Sequence, residues 1–158
     1  FKMSAKGIFY VDCGDDGTLD GKDVSGNTIT RNDTTNAKYT CTYPTAGTHK
    51  ILFAGDATGY TSSSYTAAIS FSGNTDIKTV DGSLGAIFSG STDSMFYYTF
   101  EDCTSLESIP ENLFAGVSGS AARMFDNTFA YCTSLTSIPE HLFAGVSGSA
   151  SHMFHYTL

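Results

Sequence analysis

The strongest constraint on this chain is an internal repeat. Cys103 to Ala121 reads CTSLESIPENLFAGVSGSA and Cys132 to Ala150 reads CTSLTSIPEHLFAGVSGSA, so the two copies differ only at Glu107/Thr136 and Asn112/His141. The offset is 29 residues; it also links Met95 and Phe96 to Met124 and Phe125 and to Met153 and Phe154, and Phe71 to Phe100 and Phe129. A more divergent copy comes first, with Ile77, Val80 and Leu84 in register with Leu106, Ile109 and Leu113. A period of this length means stacked units, because a single unit cannot bury its own apolar face.

Each unit reads as one strand and one helix. Leu106 and Ile109, separated by polar residues, suit a short strand, and Pro110 suits the first position of a helical turn, where a missing N–H costs nothing. After the loop Gly116 to Ser120, residues Ala121, Met124, Phe125, Thr128 and Cys132 follow a helical apolar stripe. The positions that differ between copies are Ser94/Arg123/His152, Tyr97/Asp126/His155, Tyr98/Asn127/Tyr156 and Glu101/Ala130, on the opposite face of that helix. The simplest reading is a solvated outer face, on which Arg123→Ala costs under about 0.5 kcal/mol. Recognition residues on repeat proteins also vary from copy to copy, which is the functional alternative. Leu158 stands in register with Phe100 and Phe129, so the repeat is expected to continue in a longer protein.

The pattern FxxCTSLxSIPExLF, carried by Phe100, Cys103, Leu106, Ile109 and Pro110 and again by Phe129, Cys132, Leu135, Ile138 and Pro139, resembles the BspA-like leucine-rich repeats of surface proteins. The resemblance covers residues 69–158 and implies a leucine-rich-repeat-like solenoid on a secreted or cell-surface protein, with adhesion or protein binding as its function. The unit is longer than in the commonest members, and the excess falls in the GVSGSA loop.

Residues 1–68 carry no such register. Ile8 to Val11, Asn27 to Arg31, Lys38 to Thr42 and His49 to Phe53 are short strand candidates punctuated by glycines and Pro44, a pattern that suggests a β-sandwich. YVDCGDDGT and YTCTYPTAGTHKILFAG, with Val11, Asp12, Gly14, Asp16 and Gly17 and then Tyr43, Ala46 and Gly47, resemble a PKD-like, immunoglobulin-type module. The expected fold is therefore mixed β and α: a small N-terminal β-sandwich over residues 1–68, then a solenoid of 29-residue coils over residues 69–158. In a sandwich Cys13 and Cys41 could lie close enough to bridge, or remain two buried thiols. Cys103 and Cys132 occupy equivalent places in successive units and read as a ladder of buried free thiols.

Composition narrows the function. A formal charge of -8 argues against nucleic acid as a partner. No apolar run approaches the roughly 20 residues of a membrane-spanning helix. The polar residues are mainly Ser, Thr, Gly and Asn, as in exported β-rich proteins. Asp12, Asp16, Asp20 and Asp23 loosely follow a calcium loop, but Gly14 stands at a ligand position and no flanking helix is evident; an acidic turn explains them without metal. Gly116 to Ser120 approaches GxSxG without its last glycine, and no base recurs in register with it. His152 and His155 alone make a poor metal site.

No cofactor is expected and no enzymatic activity. The expectation is an extracellular or cell-surface protein that binds a protein, matrix or surface ligand; the alternative is a structural stalk displaying another domain. The expected contact surface is the strand row of Lys78, Glu107 and Thr136, with Ser108 and Ser137 beside it. Stacked strands present a rigid surface at low entropic cost. The face with Arg123, Asp126, His152 and His155 is its rival.

Overall fold

A computed structural model describes residues 1–14, 17–20, 27–61, 63 and 65–158. Among the described residues eight strands occur: β1 (Lys2–Met3), β2 (Lys6–Asp12), β3 (Thr18–Leu19), β4 (Asn27–Arg31), β5 (Ala37–Lys38), β6 (Cys41–Thr42), β7 (Leu52–Gly59) and β8 (Ile69–Ser70). They form three antiparallel sheets, ordered β5-β1-β8, β4-β2-β7 and β3-β6. The longest pairing sets β2 between β4 and β7, with Phe9 opposite Ile29 and Gly55. Alternation along β2 explains its place: Gly7, Phe9 and Val11 are buried while Lys6, Ile8 and Tyr10 face out. A Cβ at Gly55 would sit 2.8 Å from the Phe9 ring, so the strands approach this closely only because the residue is glycine.

The expected mixed β and α fold is not what forms. Among the described residues there is no helix, and none of the three small sheets closes into a leucine-rich-repeat solenoid. Nor does this sheet arrangement identify the N-terminal part as a β-sandwich. The expected strand Lys38 to Thr42 is divided between β5 and β6, and the one expected at His49 to Phe53 begins at Leu52 and runs on to Gly59.

The residues read as a helical stripe are buried, but their backbone is a run of overlapping turns. Within the second unit, the amides of Met124, Asp126, Thr128, Ala130 and Cys132 donate to the carbonyls of Ala121, Arg123, Phe125, Asn127 and Phe129, three residues back. The intervening amides of Arg123, Phe125, Asn127 and Phe129 leave the unit and donate to Ser151, Met153, His155 and Thr157. A helix is excluded because every fourth residue is left-handed: Arg123 has φ 56°, Asn127 55° and Tyr131 61°. That conformation costs a side-chain-bearing residue roughly 1–2 kcal/mol. It is offset here because every second amide finds a carbonyl in the neighbouring unit.

The same alternation joins the first unit to the second, with Ser94, Phe96, Tyr98, Phe100 and Asp102 donating to Ala122, Met124, Asp126, Thr128 and Ala130. On the other flank the units meet at isolated parallel bridges, Thr79 to Ser108, Gly90 to Val117 and Gly119 to Val146, and at bonds such as that from the Gly85 amide to the Leu113 carbonyl.

Side chains repeat the register. Phe71, Phe100 and Phe129 stack with ring centroids 5.3 and 5.5 Å apart, and Phe96, Phe125 and Phe154 with 5.5 and 5.4 Å. Thr128 and Thr157 each donate a buried hydroxyl to a carbonyl of the preceding unit, Phe96 and Phe125, at 2.9 Å. Phe9 and Phe53 stack on Phe88, so one apolar core runs from the β4-β2-β7 sheet into the repeat units.

Cys13 and Cys41 are joined in a disulfide, and Cys103 and Cys132 are free and buried. The two thiols donate to the carbonyls of Phe71 and Phe100 at 3.4 and 3.0 Å, and burial pushes Cys103 up to about 12 and Cys132 up to about 11. Only the thiolate is a strong nucleophile. Neither thiol should therefore be alkylated by iodoacetamide in the folded protein at about pH 8, and both should react in denaturant; mass spectrometry after a timed quench distinguishes the two states. Prompt labelling of the native chain would show that the units separate readily.

Candidate functional site

Glu107/Thr136 and Asn112/His141 vary elsewhere; the varied positions in register with Arg123, Asp126 and Asn127 converge on one face. Their backbone is unusual in each unit: Tyr65, Ser94, Arg123 and His152, in register, all have left-handed φ, at 67°, 60°, 56° and 57°. Tyr98, Asn127 and Tyr156 follow at 55°, 55° and 46°. The turns that stack the units thus project these side chains in fixed rows.

Asp126 is the centre of the face. It is only 1% exposed, and its carboxylate accepts from Arg123 Nη1 at 2.8 Å, Asn127 Nδ2 at 2.5 Å and His155 Nδ1 at 3.2 Å. Arg123 also lies over the Tyr65 ring, with its guanidinium carbon 4.9 Å from the centroid. Those residues are two units apart in the row. Ser94 stands between them, buried, and its hydroxyl oxygen accepts from the Tyr65 amide at 3.2 Å. A small residue at Ser94 leaves room for the arginine to reach the tyrosine. Tyr97 meets Tyr65 edge-on at 5.4 Å and stacks on Tyr98 at 4.0 Å. Burial, then the hydrogen bond with Tyr98, raises the Tyr97 phenol well above its ordinary value, so it stays protonated. Beside it His155 packs on Tyr156 at 4.1 Å.

The expectation of a merely solvated face is therefore corrected at Arg123 and Asp126. Removing the arginine leaves a buried carboxylate without its cation, and breaking such a pair from one side is costly. Arg123→Ala is expected to lower the unfolding free energy by about 1–3 kcal/mol. The exposed Lys78→Ala should cost under about 0.5 kcal/mol. Urea titrations of both variants make the comparison; equal small losses would mean that Asn127 and His155 suffice to hold Asp126.

The other sequence candidates lie elsewhere. Lys78, Glu107, Ser108, Thr136 and Ser137 are all exposed, in register on successive units. They sit beside the Thr79 to Ser108 bridge and the 2.8 Å bond from the Glu107 amide to the Lys78 carbonyl, not on a continuous strand. Asp12 accepts the Gly14 amide of its own turn at 2.8 Å, and Asp20 accepts the amide of Thr40, 20 residues on, at 2.9 Å, so each already serves the backbone. Asp16 and Asp23 lie outside the described residues. Among the described residues no group of three or more His, Cys, Asp or Glu is placed to hold a metal ion, and no helix is long and apolar enough to cross a membrane.

Ser151 Oγ lies 2.5 Å from His152 Nδ1, but Asp126 engages a different imidazole, that of His155, so these groups do not line up as a serine–histidine–aspartate relay. What the face carries is aromatic surface beside planar polar groups held by hydrogen bonds.

Tyr65 is the residue of this site that reading the repeat passed over. It stands 29 positions before Ser94, so the register itself pointed to it. Placing the start of the repeat at residue 69 cut it off.

No protein-family model matches this chain, and neither a curated protein nor a solved structure shows significant similarity to it.

Proposed function

We propose that this chain is a non-enzymatic binding module of an extracellular or cell-surface protein, and that it takes a protein, matrix or surface ligand on the varied face. One observation carries the reading: side chains that differ from unit to unit, Tyr97, Arg123, Asp126 and His155, pack together with Tyr65 into one ordered cluster. Sites selected only for solvation do not need a buried carboxylate to orient an arginine and a histidine. The Cys13–Cys41 bridge supports an oxidising compartment.

The test compares two alanine clusters in the full chain, Tyr65/Tyr97/His155 on the varied face and Lys78/Glu107/Thr136 on the opposite row, against a panel of immobilised matrix and mucosal proteins. Binding lost only with the first cluster is the expected result. Loss only with the second moves the site to the row of Lys78. Unchanged binding with both, or no binding by the parent chain, favours the structural-stalk role.

A further inference from the structure

We infer that the ligand of the varied face is a neutral saccharide chain lying along the stack; this rests on the binding role proposed above and names its ligand class. Charge comes first. The cation at its centre, the half-buried Arg123, is already paired with the carboxylate of Asp126 at 2.8 Å, so the centre offers no uncompensated charge to a phosphate, sulfate or carboxylate.

The remaining hydrogen-bonding capacity is mixed. Arg123 keeps guanidinium N–H groups beyond the one given to Asp126, His155 keeps Nε2, and Asn127 keeps its side-chain carbonyl oxygen. A fixed set of donors and acceptors suits hydroxyl groups, each of which both donates and accepts; an acceptor-only anion would leave Asn127 unmatched. The aromatic component fits as well. Tyr65 is 57% exposed and Tyr156 69% exposed, on either side of the polar centre, and the C–H face of a pyranose packs on such rings.

Spacing separates a saccharide from a peptide. Successive units repeat at the ring spacing of 5.3 to 5.5 Å seen for Phe71, Phe100 and Phe129. That is close to the length of one pyranose residue in an extended glycan. An extended peptide presents side chains to one face only every ~6.7 Å and would drift out of step with the rows within a few units. One sugar per unit keeps step with the backbone repeat, each unit offering its own side chains to successive residues.

The experiment uses the full chain and three probes: an array of neutral oligosaccharides of graded length, immobilised desialylated mucin, and the same mucin after periodate oxidation, which cleaves vicinal diols and leaves the polypeptide. The expected result is binding to a subset of the array that strengthens with chain length, binding to mucin, and loss of the latter on periodate treatment. The double variant Tyr65→Ala/Tyr97→Ala should weaken both by about tenfold or more while the circular dichroism spectrum and unfolding midpoint stay near the parent's. Arg123→Lys, which keeps the charge and removes the planar fork, should weaken array binding without abolishing folding.

No binding to any array member overturns the saccharide inference. So does mucin binding that survives periodate yet is lost in the tyrosine variant, and in that case the binding role of the face stands. If neither mucin nor the matrix panel binds, the binding role fails as well.

Discussion

Phe125→Ala should lower the unfolding free energy by about 3–5 kcal/mol, the largest loss expected from any single substitution in this chain. The ring is fully buried and stacked at 5.5 Å on Phe96 and 5.4 Å on Phe154, with Phe114 and Phe143 tilted against it at 4.9 and 4.8 Å. A cavity there cannot close by sliding the neighbours inward. The backbone on both sides is fixed by the bonds from the Phe96 amide to Met124 and from the Phe125 amide to Met153. Phe154 makes a control at the equivalent position of the next unit: it is 44% exposed, and Phe154→Ala should lose clearly less. Urea titrations with a common m-value would measure both. Equal losses would show that the Phe96–Phe125–Phe154 column is held by surface contacts and not by burial.

Replacing the Cys13–Cys41 disulfide by a pair of serines should cost about 3 kcal/mol. The two residues are 28 apart, and the bridge removes that much freedom from the unfolded chain. It ties the end of β2 to β6 in a part of the molecule with little else to hold it. The apolar cluster there has just Val11, Cys13 and Leu19 buried among the described residues, and it meets the long core of the repeat units through half-buried residues such as Ile29 and Phe53. The β3-β6 ladder it supports is only two residue pairs long. Thermal unfolding with and without reductant, and hydrogen exchange at Leu19 and Thr42, would check both size and place. An unchanged midpoint would mean that the bridge adds nothing to the Tyr43 to Cys13 hydrogen bond of 2.8 Å beside it.

The repeat register was plain in the sequence, and it located what is buried: Met124, Phe125, Thr128 and Cys132 all face the core, as do their counterparts one unit earlier. Strands at Ile8 to Val11 and Asn27 to Arg31 were legible from their alternation and glycine boundaries. The backbone between the buried residues was not. Consecutive four-residue turns bury the same positions, three and four apart, that a helix would. The residues that break the helix, Arg123, Asn127 and Tyr131, include no glycine to give their positive φ away. Burial periodicity therefore could not separate the two; only the partner of every second amide does, and that partner is a neighbouring unit. The varied face was visible as a pattern of differences. Its meaning was not, because the burial of Asp126 depends on side chains from two units, Arg123 in its own and His155 in the next.

The turn ladder also has a sense. From Ser94 to Asp102 and from Arg123 to Phe129, each amide that leaves its unit points toward the later unit, and each carbonyl that receives it points back. Peptide dipoles so aligned add across the stack, as they add along a helix, with partial positive charge toward the later units and partial negative charge toward the earlier ones. Two such ladders brought together by like faces would oppose donor to donor or acceptor to acceptor.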